Sequence, residues 1–343
     1  MRIGLDVMGG DNAPDAIIDG ALGSLDQLDQ DDQLVLVGDK EIIEKAISDR
    51  GVDDPRLEII ASTQQFPNDV SPVEAIRGYP DSSIAVLAEI ASERKSSKRG
   101  IEKVDGIISA GNTGVCVTAA QMSMRRLPNV SRPGITCTIP TFAGPVVLID
   151  VGANIEPKPH HLAQYGVMGG IYAQLILGID NPRVALMNVG GEEQKGTSHM
   201  RDARDRLRST PSINFIGNIE GRAVFNGESD VVITDGVVGN VMIKLAEGLS
   251  AGIFKAIGRE VNAIDPDLSK RLEVVIKKIY ADHDYHEYGG APLLGVNGLC
   301  LISHGSSVAR TFTNAIIRSI QFCSSGVNQA ISEKLALQEE AVV

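Results

Sequence analysis

The sequence predicts an α/β chain built on a largely parallel sheet with helices on both faces, and three observations carry that expectation. Apolar runs of strand length recur along the chain, segments with helical spacing separate them, and glycine, asparagine and aspartate build the strand-to-helix junctions. At 343 residues, 43% hydrophobic and 22% charged, the chain can bury a large core. Residues 1–330 read as a single domain of two interleaved lobes, with a frayed tail at 331–343.

In chain order, the expected strands are Ile3–Val7, Leu34–Gly38, Leu57–Ile60, Val104–Ser109, Val146–Val151, Val184–Val189, Ile213–Gly217, Val231–Thr234 and Leu299–Ser303. Helical spacing fills Asp39–Arg50, Asp81–Lys95 and His160–Leu177, whereas Ser92–Lys103 reads as a solvated loop. From Lys244 to Asp284 a long helical stretch breaks at Asp265-Pro266, because the residue before a proline is driven out of the helical region, and a two-helix arm is expected. Ligands of such sheets bind beyond the carboxyl ends of the strands, where the glycine junctions lie.

The charge balance, −12 with a pI near 5.0, argues against a nucleic-acid partner. Cys116, Cys137, Cys300 and Cys323 have no paired spacing and sit in apolar contexts, which fits a reducing, cytoplasmic location. Met1-Arg2 runs directly into the first strand, so no targeting segment is expected, and no run of about 20 apolar residues suggests a membrane span. No His-x-x-x-His or Cys-x-x-Cys spacing marks a metal site, and none is expected.

Chemistry is concentrated at the junctions. Gly9, Gly10, Asp11 and Asn12 follow the first strand, but lack the spacing of a dinucleotide fingerprint or a P-loop. Ser109, Gly111, Asn112, Thr113 and Gly114 offer a hydroxyl, an amide and backbone donors at a helix start, where an anion can be held without a positive side chain. Asn154 closes another junction. Asp235 and Gly236 open a helix on which Asn240 and Lys244, four residues apart, share a face. Tyr288–Gly298, with Gly289 and Gly290, is apolar enough for the wall of a slot, and His304 stands at a strand end. Cys116, a possible nucleophile just past the Ser109–Gly114 loop, has apolar neighbours that favour an inert thiol.

Taken together, the pieces IGLDVMGGDNAPDAIIDGA, SPVEAIR, DSS, SAGNTG, RLP, GPVVLIDVGAN, KPHHL, NPRVALMNVG, NFIGNIEGR, DVVITDGVVGNV, EYGGAPLLGVNG and HGSS resemble the phosphate acyltransferases of bacterial phospholipid synthesis from Met1 to about Phe322. Gly191, Pro157, His160 and Val308 depart from that family's pattern. The resemblance implies a fold like that of phosphotransacetylases and isocitrate/isopropylmalate dehydrogenases. It also implies acyl transfer from acyl-[acyl-carrier protein] to orthophosphate without a cofactor, and a homodimer in peripheral contact with the membrane. It adds Lys195, Lys158 and His161 to the candidate site.

In the resulting mechanism, phosphate rests on the helix starts at Ser109–Gly114 and Asp235–Asn240, balanced by Lys195 or Lys244. Asn240 or Asn112 stabilises the oxyanion, and His304 or His161 protonates the departing thiolate. The arm, with apolar positions such as Leu249 and Ile253 and the cations Lys270, Arg271, Lys277 and Lys278, fits a membrane surface or dimer packing. The same cations, or Arg125-Arg126 and Arg201–Arg208, suit an acidic carrier protein. Two competing classes are a metal-dependent decarboxylating dehydrogenase, whose spaced carboxylates are missing, and a non-enzymatic acyl-carrier or membrane scaffold, which leaves the junctions without a purpose.

Overall fold

The computed structural model describes residues 1–67, 69–141, 143–282 and 289–340. Tyr288, the cluster His283–His286 and the last three residues lie outside the described residues, as do the side chains of Lys277 and Lys278.

A single sheet carries the strands β1 (Arg2–Asp6), β2 (Gln33–Gly38), β3 (Leu57–Ala61), β4 (Gly106–Ser109), β5 (Gly134–Thr141), β6 (Gly144–Ile149), β7 (Arg183–Met187), β8 (Asn214–Ile219), β9 (Val231–Ile233), β10 (Ala291–Leu294) and β11 (Leu299–Ile302), in the spatial order β3-β2-β1-β4-β11-β10-β5-β6-β9-β7-β8. Pairing is parallel from β3 through β11 and from β6 through β8. Only the middle, β11-β10-β5-β6, is antiparallel. The inner strands are buried on both faces and read as continuous apolar runs, as in β2, where Leu34, Val35, Leu36 and Val37 are all fully buried, whereas the edge strands β3 and β8 are only partly buried.

The helices are α1 (Asp15–Ser24), α2 (Lys40–Asp49), α3 (Pro72–Gly78), α4 (Ser83–Ile90), α5 (Glu93–Arg99), α6 (Thr113–Ser123), α7 (Pro159–Leu177), α8 (Ser198–Arg208), α9 (Gly236–Ile264), α10 (Pro266–Asp282), α11 (Ala309–Ser324) and α12 (Val327–Glu340). They cover both faces of the sheet. Ile17, Ile18, Tyr165, Leu207, Phe312 and Ile331 pack in one core cluster, and Ile84, Leu87, Val115 and Ala119 in another.

Where the structure departs from expectation, the cause is local or tertiary. Ser92–Lys103 contains α5, whose hydroxyls fold back on Glu93 O and whose Gly100 ends the helix in the left-handed region. The expected frayed tail is helical through Glu340, because Ile331 and Leu335 are buried. The arm is a helical hairpin that starts earlier, at Gly236. It turns where Asp265 accepts the N–H groups of Asp267 and Leu268, at 2.9 and 3.0 Å. By length and mean hydropathy (1.4 over its most apolar stretch), α9 is long and apolar enough to cross a membrane, and that stretch is only 6% buried. Its exposed apolar residues recur every fourth position at Val237, Val241, Leu245, Leu249, Ile253 and Ile257, forming a continuous stripe that winds around the helix by about 40° per step.

Candidate active site

Two cavities open side by side beyond the strand ends. The first, about 630 Å³, is lined by the loop after β1 (Asp6 to Asp11), the start of α4 (Ser82 to Ile84), the loop and first turn after β4 (Ser109 to Thr113), and Gln64, Cys116, Lys244, Ser303, His304 and Gly305. The second, about 460 Å³, is more apolar, with Ile135, Cys137, Val151, Ile155, Val237, Val241, Ile243, Ala291 and Ile302 around Asn240, Gly290 and Glu247. Thr113, Lys244, Ser303 and His304 belong to both walls and form the partition.

Lys244 is the one lysine among the lining residues. Its Nζ lies 3.0 Å from His304 Nε2 and 3.1 Å from Glu247 Oε2. On its other side, His304 Nδ1 accepts the Ser306 N–H at 3.2 Å and lies 2.7 Å from Ser306 Oγ. The loop that carries His304 is tied to the loop after β1. Asp11 N–H donates to Gly305 O at 2.8 Å, and Asn12 Nδ2 to Ser306 O and Ser307 O at 3.1 Å each. Asn12 therefore braces the site from behind.

The helix starts differ in what they leave free. In α6, Asn112 Oδ1 caps the Val115 N–H at 3.1 Å, so the N–H groups of Thr113 and Gly114 face the cavities. The start of α4 has no side-chain cap; Ser82 turns its hydroxyl back to Tyr79 O. At α9 every early donor is taken. Gly236 N–H bonds Asn154 O at 2.8 Å, Val237 and Val238 N–H bond Asp235 Oδ1 at 2.9 and 2.8 Å, and Gly239 N–H bonds Asp235 O at 3.0 Å. The Asp235–Asn240 start, expected to bind an anion, therefore has no backbone N–H left for one, whereas the starts of α6 and α4 do.

The glycines of this start serve packing. A Cβ on Gly236 would stand 2.6 Å from Asn154 O, and one on Gly239 2.1 Å from Asp150 O. The first turn of α9 thus lies directly on the 150–154 backbone, which fixes the direction in which Asn240 and Lys244 project.

Of the sequence candidates, Gly9, Gly10, Asp11, Ser109, Gly111, Asn112, Thr113 and Lys244 meet in the first cavity, and Gly114, Gly236, Asn240 and Gly290 in the second, with His304 in both. Others stand elsewhere. Asp235 is the α9 cap. Asn154 spends its amide on Pro133 O, Asp150 Oδ2 and Tyr165 Oη. His161 Nδ1 accepts Lys158 N–H at 2.9 Å at the start of α7, and burial, with His160 and nearby cations, lowers its pKa to about 4. Lys158 and Lys195 are exposed and line neither cavity. Gly289, at φ +80°, packs its Cα against Ala315 of α11 while its carbonyl accepts Ser303 Oγ–H at 2.9 Å. On α8, Arg204, Arg206 and Arg208 are paired with Asp205, Asp202 and Glu193. The Cys116 thiol reaches the first cavity, but burial pushes its pKa up to about 12, which removes the thiolate a nucleophile needs.

Sequence reasoning missed Asp6 and the Ser82-Ser83 start of α4. Both had a signal: an aspartate ending an otherwise apolar strand, and paired serines opening an apolar helix.

Comparison with known proteins agrees with this geometry. A family model described as "Fatty acid synthesis protein" matches residues 1–330. The chain is 41% identical to a phosphate acyltransferase of Desulfitobacterium hafniense, covering 98% of both chains, and 39% identical to one of Heliobacterium modesticaldum over the whole of both. Its fold is similar to that of a phosphotransacetylase from Streptococcus pyogenes, with TM-score 0.62 and 18% identity over 96% of this chain and 94% of that one. It is also similar to the EutD phosphotransacetylase of Staphylococcus aureus, with TM-score 0.56 and 14% identity over the same shares. The chain is an acyltransferase and belongs to the phosphate acyltransferase family.

Proposed function

We propose that the enzyme reversibly transfers a fatty acyl group from acyl-[acyl-carrier protein] to orthophosphate, supplying acyl-phosphate for phospholipid synthesis. The observation that carries this reading is the meeting of a polar and an apolar cavity at the Lys244–His304 partition. Orthophosphate occupies the first cavity, on the free N–H groups of α6 and the open start of α4. The thioester spans the partition, with its acyl part on the apolar side.

Hydrogenphosphate is already nucleophilic, so the enzyme's task is positioning. A phosphate oxygen attacks the thioester carbonyl, the carbonyl electrons move to oxygen, and Asn240 Nδ2 with nearby N–H groups holds that oxyanion. As the C–O double bond re-forms, the C–S bond breaks and the sulfur takes a proton. Lys244 faces both cavities and is the donor at that moment. His304 Nε2 lies behind it and fixes its Nζ, and the proton given up by phosphate restores the ammonium. The exposed stripe of α9 supports a homodimer in peripheral contact with a membrane.

The test is thiol release from palmitoyl-[acyl-carrier protein], with and without orthophosphate, with acyl-phosphate trapped by hydroxylamine. Phosphate-dependent release with a matching hydroxamate is expected. Release that ignores phosphate points to a thioesterase and overturns the reading.

A further inference from the structure

Asp6 and Asp11 are the two carboxylates in the first cavity that oppose its proposed ligand, and of the two Asp6 is the buried one. It is 3% exposed yet lines the cavity, and no cation bonds it. Its Oδ2 accepts Ser109 Oγ–H at 2.7 Å and its Oδ1 accepts Met8 N–H at 3.2 Å, and the Ser83 hydroxyl and Gly9 N–H also support the carboxylate. Ser109 Oγ in turn accepts Gly111 N–H at 3.1 Å. The hydroxyl that the sequence offered to an anion is therefore turned away, onto Asp6.

The charged and titratable groups around Asp6 are few. Asp11 follows it on the same loop, Cys116 approaches on α6, and Lys244 and His304 stand across the cavity, with Lys244 already engaged by Glu247. A tetrahedral dianion entering here meets two carboxylates and one shared ammonium. Like charges so close, one of them on a buried carboxylate, do not both persist; one takes a proton.

We propose that Asp6 takes up one proton as the oxyanion enters, and that the reversed Asp6–Ser109 bond turns the Ser109 hydroxyl onto the anion. With the carboxyl protonated, Asp6 O–H donates to Ser109 Oγ, which keeps Gly111 N–H as its second donor. Its own hydrogen is then free for the ligand. The proton comes from solvent and no bond other than O–H changes. Burial already raises the Asp6 carboxyl above its ordinary value, which favours the uptake. Asp6 acts through Ser109 and is a positioning residue. This inference rests on the phosphate reading of the first cavity.

Calorimetry with sulfate and with orthophosphate, in buffers of different ionisation enthalpy, tests it. Sulfate has no proton to exchange between about pH 7 and 9, a range above the ordinary histidine pKa and below that of lysine. One proton is expected to enter the protein per sulfate bound, with affinity falling about tenfold per pH unit. In Asp6→Asn the amide donates to Ser109 permanently, so binding loses both the uptake and the pH dependence. Should that variant not fold, an infrared carboxylic-acid band appearing in the native enzyme on sulfate addition replaces it. Binding without uptake or without that band, or uptake that persists in Asp6→Asn, overturns the inference and leaves the phosphate subsite standing. If neither anion binds the native enzyme, the subsite itself falls.

Discussion

Lys244 and Cys116 face the same cavity with opposite chemical prospects. Lys244 presents an ammonium held at 3.0 Å by His304, whereas Cys116 is a thiol that burial keeps protonated. Lys244→Met removes the charge and keeps the apolar stem, so turnover should fall by roughly 10²–10³, the scale seen when one preorganised electrostatic donor is lost. Its thermal unfolding should stay near normal, because the side chain is half exposed. Cys116→Ala should keep near-normal turnover. Steady-state kinetics on both variants is decisive, since a large loss in Cys116→Ala would restore a covalent acyl-enzyme and normal turnover in Lys244→Met would remove the proposed donor. The lysine was legible from its spacing, four residues after Asn240. Its choice over Lys195 was not, because only the packing of α9 on the 150–154 loop brings it to the histidine.

At the scale of elements, the start of α9 is the most constrained contact of the site. Gly239→Ala places a methyl on Asp150 O and must lift the helix, which overpacking data put at about 1–3 kcal/mol. The same shift draws Lys244 away from His304, so melting temperature and turnover should fall together. Gly248, further along α9, faces open space, and its alanine variant should be neutral or slightly stabilising, by up to about 1 kcal/mol. Equal melting temperatures for the two variants would refute the packing argument. Most of the parallel strands were readable because an apolar run leads into a glycine junction, whereas β3, which runs into Ser62-Thr63-Gln64, was read from its apolar run alone. β5 and β10 were not read as strands at all. β5 carries polar Thr136 and Thr138 within its buried span, and β10 begins with Ala291-Pro292, so neither shows the apolar run that marks the others. Both join the sheet through antiparallel partners that no local pattern announces.

For the whole molecule, the stripe on α9 is too long to be incidental. Leu249 is 60% and Ile253 48% exposed, and four-residue steps from Val241 to Ile257 span about 24 Å at 1.5 Å per residue. The double variant Leu249→Asp, Ile253→Asp alters no buried side chain and should fold. On the proposed homodimer reading, sedimentation should show the native enzyme as a dimer and this variant as a monomer. A dimer that survives moves the interface elsewhere, and vesicle flotation of the same pair then measures the membrane share of the stripe.

The two central strands β10 and β11 come from residues 291–302, near the end of the chain, yet they lie between β4 and β5. On the ribosome, at about 5–20 residues per second, roughly 15–60 s of synthesis pass before that hairpin exists. Until then the nascent chain holds two half-sheets whose facing edges, β4 and β5, are open to other chains. His304 follows β11 directly, so the Lys244–His304 partition closes only when the last strands are inserted. A chain released early is therefore both inactive and prone to stick, and activity marks a molecule whose translation has run to the end of its sheet.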